Sequence, residues 1–439
     1  MDSNKKIKVH FITLGCKVNT YETEGMRELI EKASMISTDK LEEADICVVN
    51  TCSVTNIADR KSRQMIHKAK KDNPCLKVIA TGCYVQTSNE EELLANGIDY
   101  ILNNSEKHKV VEAIRMLGEE NGNKTDIFEE KEYEEIAFTS ACENTRAFIK
   151  IQDGCNRFCS YCIIPFARGR VRSRSFENIV NEVNLLAKNG IKEVVLTGIL
   201  LSAYEISGLS NDMSLLKVVK AISLIDGIER IRFGSLEPNI ISESFIKELS
   251  GIKEFCPQFH LSLQSGSNTV LERMNRRYSA EDYLKGVEII RSFYERPAIT
   301  TDIIVGFPGE TEEEFKETLE FVEKTGFEKV HVFPFSRRRF TKADKMPNQV
   351  NSEIKASRVK ALMELEDRVG KIYKKSFIND TVEVLLEEKI QMEDRIFYVG
   401  HTERFVKVFV DFSDNMCENK LVKATVIDIF NDGVLAKVI

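Results

Sequence analysis

Apolar runs of strand length alternate with amphipathic segments from residue 7 to residue 117. The runs IKVHFITLGC, ADICVVNTC and KVIATGC read as strands. YETEGMRELIEKA and NIADRKSRQMIHKAKKDN, between them, read as helices, with Ile57, Met65, Ile66 and Ala69 recurring at helical spacing in the second. IDYILNN and a helix over KHKVVEAIRML close the unit. This order predicts a parallel, doubly wound sheet. Each of the first three strands ends in cysteine: Cys16, Cys52 and Cys83, separated by 36 (52 − 16) and 31 (83 − 52) residues, about one strand–helix–strand unit each. Strand C-termini of a parallel sheet lie along one edge, so these three thiols can converge on one crevice.

A second alternation starts at residue 147, with six candidate strands: AFIKIQDG, KEVVLTGIL, RIRFGSL, QFHLSLQSG, ITTDIIVGFPG and KVHVFPFS. Amphipathic helices lie between them. In TEEEFKETLEFVEKTG, Phe315, Leu319 and Val322 share a face, Thr311 and Glu314 form a capping box, and Gly326 is the stop. Six repeats predict a partial (β/α)6 barrel, in which chemistry gathers at the C-terminal strand ends. Those ends hold Cys155, Gly198, Glu237, Gln264, Gly306 and Ser336. After a charged helix over 351–375, the tail has five short alternating strands, TVEVLLEE, RIFYVGHT, FVKVFVDF, KATVIDIF and GVLAKVI. Val406, Val408 and Val410 fall on one face, and Phe405, Lys407 and Phe409 on the other. They predict a small closed or nearly closed OB-like barrel, an architecture often used for oligonucleotides. The expected organisation is an N-terminal domain over 5–117, an acidic linker over 118–140, a central domain over 141–370 and the small barrel over 373–439. The linker, rich in glutamate and poor in apolar residues, reads as a solvated connection.

A chain of 439 residues is too long for one ordinary core. Hydrophobic content of 42% with 30% charged residues excludes a disordered or membrane-embedded class. No apolar run approaches the roughly 20 residues of a bilayer span. Lys8 and His10 interrupt what would be the apolar part of a signal peptide, so a cytoplasmic, membrane-free protein is expected. In a reducing compartment, eleven cysteines are metal ligands before they are a disulfide framework. Net charge of −7 gives no global support for nucleic-acid binding, and the tail 376–439 has 7 basic against 12 acidic residues, so such contact must come from local patches.

QDGCNRFCSYCIIPFARGRVRSRS places Cys155, Cys159 and Cys162 in CxxxCxxC spacing on the loop leaving the first strand of the predicted barrel. Ferredoxin clusters use four thiolates in a tighter run, and zinc sites are normally closed by a fourth ligand. No histidine lies nearby. Three thiolates leave one iron of a four-iron cluster open, which is what chelation of the amino and carboxylate groups of S-adenosylmethionine requires.

With this motif the chain resembles the radical S-adenosylmethionine superfamily and, within it, the methylthiotransferases. TLGCKVNTYETE, NTCSVTNIADRKSRQ, ATGCYVQ, DGCNRFCSYCIIPFARGRVRSR, GSLEP, HLSLQSGS, RMNRRY and TTDIIVGFPGETEEEF look like family blocks in family order. The resemblance implies a radical core, a second 4Fe-4S cluster on Cys16, Cys52 and Cys83 that holds or receives the sulfur, and a C-terminal RNA-binding TRAM barrel. LGCKVNTYETE and RGRVRSR resemble the branch acting on N6-threonylcarbamoyladenosine (t6A) beside the tRNA anticodon, at position 37. Two molecules of S-adenosylmethionine are then implied, one methylating a sulfur and one yielding the radical that takes hydrogen from C2 of the adenine. An electron donor of flavodoxin or ferredoxin type and a sulfur source are implied partners. Alternatives are isopentenyladenosine or a ribosomal-protein aspartate as substrate, and, in another class, a non-catalytic iron–sulfur RNA-binding redox sensor.

Tyr161, Gly198, Glu237, Gln264, Asp302 and Gly306 are expected to contact S-adenosylmethionine, with Gly306 and Gly309 giving its adenine room; structural roles are the alternative. Arg168, Arg170, Arg172 and Arg174, with Arg276, Arg277 and Arg337 to Arg339, are expected to track tRNA phosphates, an ion-paired surface being the alternative. Cys47, Cys75, Cys142, Cys256 and Cys417 match no ligand spacing and read as buried or incidental residues, Cys142 being the one close to the cluster loop in sequence. Two segments at the expected barrel mouth depart from the family pattern. FSRRRFTKA, within 335–343, lacks the proline and glycine of YSPREGTPA, and LLSAYE, within 199–205, replaces an ending in Tyr-Gly.

Overall fold

In a computed structural model the described residues are 6–119, 121–122, 124–138, 145–392, 395–411 and 417–439. The N-terminal sheet comprises β1 (Lys8–Thr13), β2 (Ile36–Ser37), β3 (Ile46–Thr51), β4 (Lys77–Gly82) and β5 (Tyr100–Ile101). All are parallel, in the order β2-β1-β3-β4-β5. This is a doubly wound order, and strand progression reverses between β1 and β3. Every residue of β3 is buried, because helices cover both faces of the sheet. Cys47 and Val49 pack on one side, Ile46 and Val48 on the other. β2 escaped the sequence reading: two residues carry no periodicity.

The central domain contains β6 (Arg146–Asp153), β7 (Arg172–Ser173), β8 (Glu193–Gly198), β9 (Arg230–Phe233), β10 (Ser235–Leu236), β11 (Gln258–Leu261), β12 (Ala298–Val305) and β13 (Lys329–Pro334). The six expected strands are all present. They form two four-stranded sheets, β7-β6-β8-β9 and β10-β11-β12-β13, joined where the chain runs through Gly234 from β9 into β10. β7 is an unexpected antiparallel edge strand inside the arginine-rich segment. One apolar core runs behind both sheets. Ile299, Ile303 and Val305 of β12 belong to it, so Thr300, Asp302 and Ile304 face the lumen by the two-residue period of a strand. The helix Glu312–Thr325 has the expected Thr311–Glu314 capping box and left-handed Gly326.

The C-terminal strands β14 (Thr381–Met392), β15 (Arg395–Thr402), β16 (Lys407–Asp411), β17 (Leu421–Phe430) and β18 (Gly433–Val438) close into a barrel in the order β14-β15-β16-β18-β17. Val406, Val408 and Val410 fill its interior. Phe409, on the opposite face, is buried as well, against Phe397, Val399 and Phe430. This barrel docks on the N-terminal ends of the central strands: Arg230 donates to the carbonyls of Glu383 and His401, Arg232 to those of Thr402 and Glu403, and Arg146 pairs with Glu387. It therefore stops the lumen at the end opposite the cysteine loop.

The expected solvated linker is corrected by its packing. Ile127, Ile136 and Phe138 are buried, and the Ile136 carbonyl accepts from Tyr21. Two of its acids are paired: Glu135 holds Arg174 and Glu134 holds His108. Among the described residues no helix is long and apolar enough to cross a membrane. Cys142 lies outside the described residues. Cys47 and Cys256 are buried, and Cys75 and Cys417 are exposed, away from both cysteine groups.

Candidate metal centres and the cavity between them

Cys16 follows β1, Cys52 follows β3, and Cys83 opens the short helix Cys83–Thr87 directly after β4. All three stand at the C-terminal edge of the sheet, at or beside the reversal between β1 and β3. The Asn19 amide draws these loops together by donating to Leu14 O at 2.7 Å and Thr51 O at 3.0 Å. Thr51 donates in turn to Thr81 O, fixing β3 to β4. The thiols are near enough to feel one another. Burial pushes Cys52 up to about 12, with the charges of Cys83 and Cys16 adding to the effect.

Cys155, Cys159 and Cys162 form the second group, after β6. The amide of Arg157 donates to Cys155 Sγ at 3.4 Å, and Arg276 Nη1 to Cys159 Sγ at 3.1 Å. Burial pushes Cys155 up to about 11 and Cys162 up to about 12. Buried neutral thiols shed their protons when a metal ion binds, so these groups become thiolates on loading.

Three of the six cysteines are preceded by a glycine of positive φ: Gly15 (+111°), Gly82 (+93°) and Gly154 (+71°). A Cβ on Gly154 would lie 1.7 Å from the Arg170 carbonyl oxygen, and one on Gly82 2.4 Å from that of Thr51. Only glycine lets the chain turn a cysteine toward the crevice there. Gly154→Ala is therefore expected to destabilise the loop by more than about 1 kcal/mol, and to strip the second group of its iron, measured as iron per chain after anaerobic purification.

The charges beside Cys83 suit a bound anion. Lys107, Lys150, Arg168 and Arg172 are buried and, among the described residues, pair with Glu22 and Asp153, four cations to two carboxylates. The charge of Arg168 acts on Cys83, opposing the burial that raises its thiol. Such an excess of buried positive charge requires a counter-charge, which thiolates around a cluster supply. The donor sets thus fit iron–sulfur clusters: two groups of three thiols, N–H donors on sulfur at one, buried cations at the other.

This network corrects the reading of the arginines. Arg168, Arg172 and Arg174 are buried, Arg174 against Glu182 and Glu135, and cannot meet phosphate. Arg276 is turned inward onto Cys159 and Glu237. Arg338 is also buried: it pairs with Asp59 at 2.7 Å and donates to Ser53 and Asn56, clamping the atypical FSRRRFTKA segment to the chain just after Cys52. Arg170, Arg277, Arg337 and Arg339 remain exposed. Nothing in the isolated sequence distinguished the two sets, since the partners of the buried ones lie on distant elements.

A cavity of about 280 Å³ opens beside Cys162. Tyr161, Cys162, Gln264 and Asp302 line it, facing Val54 and Thr55 of the loop that carries Cys52. Gln264 adopts a left-handed φ of 77°, rare for a residue with a side chain and characteristic of functional sites. Three other expected cofactor residues lie elsewhere. Glu237 binds Arg157 at 2.7 Å and so braces the cysteine loop. Gly198 leaves room for Gln152, and Gly306 for Lys355, whose Cγ would be 2.4 Å from an added Cβ. Deeper in the lumen, His260 Nε2 lies 3.4 Å from Asp302 Oδ2, with His331 alongside. Burial would raise the Asp302 carboxyl, but the hydrogen bond and charge of His260, then the charges of His331 and Lys17, hold it below its usual range.

Comparison with known proteins agrees with this geometry. Residues 149–322 match the Radical SAM superfamily and residues 8–103 the Uncharacterized protein family UPF0004. The chain is 38% identical to the threonylcarbamoyladenosine tRNA methylthiotransferase MtaB of Bacillus subtilis, over 98% of this chain and 97% of that protein. It is 36% identical to a tRNA-2-methylthio-N(6)-dimethylallyladenosine synthase of Caldicellulosiruptor saccharolyticus, over 88% and 83%. Among solved structures, the radical S-adenosylmethionine methyltransferase TsrM of Kitasatospora setae shares the fold, with a TM-score of 0.57 at 15% identity over 75% of this chain and 73% of that one. On these likenesses and its two cysteine groups, the chain belongs to the methylthiotransferase family of radical S-adenosylmethionine enzymes.

Proposed function

We propose that this enzyme installs a methylthio group at C2 of N6-threonylcarbamoyladenosine at tRNA position 37, in the cytoplasm. The observation that carries the reading is a cavity lined by Cys162 of one cysteine group and by Val54 and Thr55, just past Cys52 of the other, in a chain similar over nearly its whole length to a threonylcarbamoyladenosine tRNA methylthiotransferase. An aromatic C–H resists acid–base chemistry, so a radical is needed to remove the hydrogen. When bound, a cluster on Cys155, Cys159 and Cys162 supplies the electron that cleaves S-adenosylmethionine, and one on Cys16, Cys52 and Cys83 supplies the site for sulfur.

The chain's own residues position and shield these groups. The Arg157 amide and Arg276 withdraw electron density from the thiolates, and Glu237 holds both arginines in place. Tyr161, Gln264 and Asp302 are assigned to S-adenosylmethionine, with Ile304 and Phe335 excluding water from the same cavity. Arg170, Arg337 and Arg339, exposed on the cysteine side, are assigned to tRNA phosphates, and the five-stranded barrel to RNA binding as a TRAM module. A flavodoxin- or ferredoxin-type donor and a separate sulfur source complete the reaction.

Nucleosides from a strain lacking this protein test the reading. The methylthio-threonylcarbamoyladenosine peak is expected to vanish and to return on complementation; an unchanged peak overturns the assignment. Loss of methylthio-isopentenyladenosine instead would favour the second reading, to which the similarity to a dimethylallyladenosine synthase points.

A further inference from the structure

We propose that Lys17 binds the carboxylate on the N6 substituent of the modified adenosine, and thereby sets a preference for an acid-bearing base over an uncharged one. The inference rests on the threonylcarbamoyl reading above, since threonine joined through its amino group keeps a free carboxylate, whereas a dimethylallyl group is pure hydrocarbon.

Lys17 is the first residue of the helix Lys17–Lys32, and its side chain reaches from the N-terminal domain to residues of the central one. Its ammonium lies 5.8 Å from the centre of the Phe148 ring on β6. The charges facing it come from four strands: Arg146 of β6, Glu193 of β8, Arg232 of β9 and Asp302 of β12. None of the two carboxylates is within 4 Å of it, and among the described residues it has neither an ion pair nor a hydrogen-bond acceptor. It stays accessible to solvent from inside the lumen.

The neighbouring cations are all engaged. Arg146 pairs with Glu193 and Glu387. Arg232 pairs with Glu193 and donates to Thr402 O and Glu403 O. Lys150 is held by Glu22 and Asp153, and Arg276 by Cys159 and Glu237. Asp302, in the cavity wall, faces His260 at 3.4 Å. An ammonium kept among protein walls beside two arginines, with no anion of its own, is set to receive one from a ligand.

Its position suits the base. Lys17 follows Cys16 directly, and its ammonium faces down the lumen, toward Asp302 on the cavity wall and Arg146, Glu193 and Arg232 at the N-terminal ends of their strands. C2 and C6 of adenine flank N1 on one edge of the ring. A purine in the cavity whose C2 meets the sulfur side turns its N6 arm past Asp302 into the lumen, where Lys17 stands.

The test uses anaerobically reconstituted holoenzyme and an anticodon stem-loop RNA carrying either threonylcarbamoyladenosine or its carboxamide, which matches it in size and lacks the charge. Binding is followed by fluorescence anisotropy and methylthio product by mass spectrometry. Wild-type enzyme is expected to bind the acid about 10- to 100-fold more tightly than the amide, the worth of one hydrogen bond to a charged group. Lys17→Gln is expected to bind both alike, and Lys17→Arg to keep the preference. Equal binding of acid and amide by wild type, or a Lys17→Gln variant that keeps the full preference, overturns the inference. Wild type that methylthiolates both RNAs equally sinks the inference and leaves the functional reading standing; wild type that modifies neither sinks both.

Discussion

With Cys16, Cys52 and Cys83 replaced together by alanine, the anaerobically purified enzyme is expected to keep about four iron atoms per chain instead of about eight. It should still cleave S-adenosylmethionine to 5'-deoxyadenosine, and form no methylthio product. Replacing Cys155, Cys159 and Cys162 is expected to halve the iron equally but to end both reactions. The asymmetry follows from the architecture: the first group hangs on β1, β3 and β4 of one sheet, the second on a single loop after β6 of another. Neither group shares a ligand with the other, so each loads independently. Iron analysis and product quantification check both variants. A first-group variant that retains all its iron would show that those thiols hold no cluster.

The second large effect concerns Glu22, buried in the contact between the two domains. It accepts from Lys150 and Arg168 at 2.8 Å each and lies 3.3 Å from Lys107. Burial alone would raise its carboxyl, but Arg168, Lys107 and Lys150 hold it well below the usual carboxylate range. Glu22→Gln takes this carboxylate from Lys107, Lys150 and Arg168 and is expected to cost about 3–5 kcal/mol, read as a lowered urea midpoint. Glu31→Gln, exposed on the same helix, should change stability by no more than about 0.5 kcal/mol. Because the folded carboxyl is depressed, its contribution is complete at neutral pH. It is lost only as pH falls through the depressed value, so wild type and variant converge in acid and differ most above the ordinary carboxylate range.

Much of the fold was legible because it rests on periodicity. The six central strands, the five of the small barrel and the Thr311 cap were all readable from short-range patterns. The two cysteine groups were readable as well, since C-terminal ends of parallel strands fall on one edge whatever the rest of the chain does. Two-residue strands such as β2 and β7 offer no period to detect. The linker misled because composition reports charge and not pairing. Two of its glutamates meet Arg174 and His108, and its few apolar residues, Ile127, Ile136 and Phe138, are enough to pin it down.

The sequence by itself determined the element order, the parallel sheets and the cysteines that stand at their edge, because local spacing dictates which residues end a strand. Only the tertiary structure decided which charges face solvent. In RGRVRSR, Arg170 is exposed while Arg168, Arg172 and Arg174 are buried on Glu22, Asp153 and Glu182. Lys17 is likewise left without an anion in the lumen by elements far from it in the chain. A charge takes its role from its neighbours in space, and those neighbours are brought together by folding.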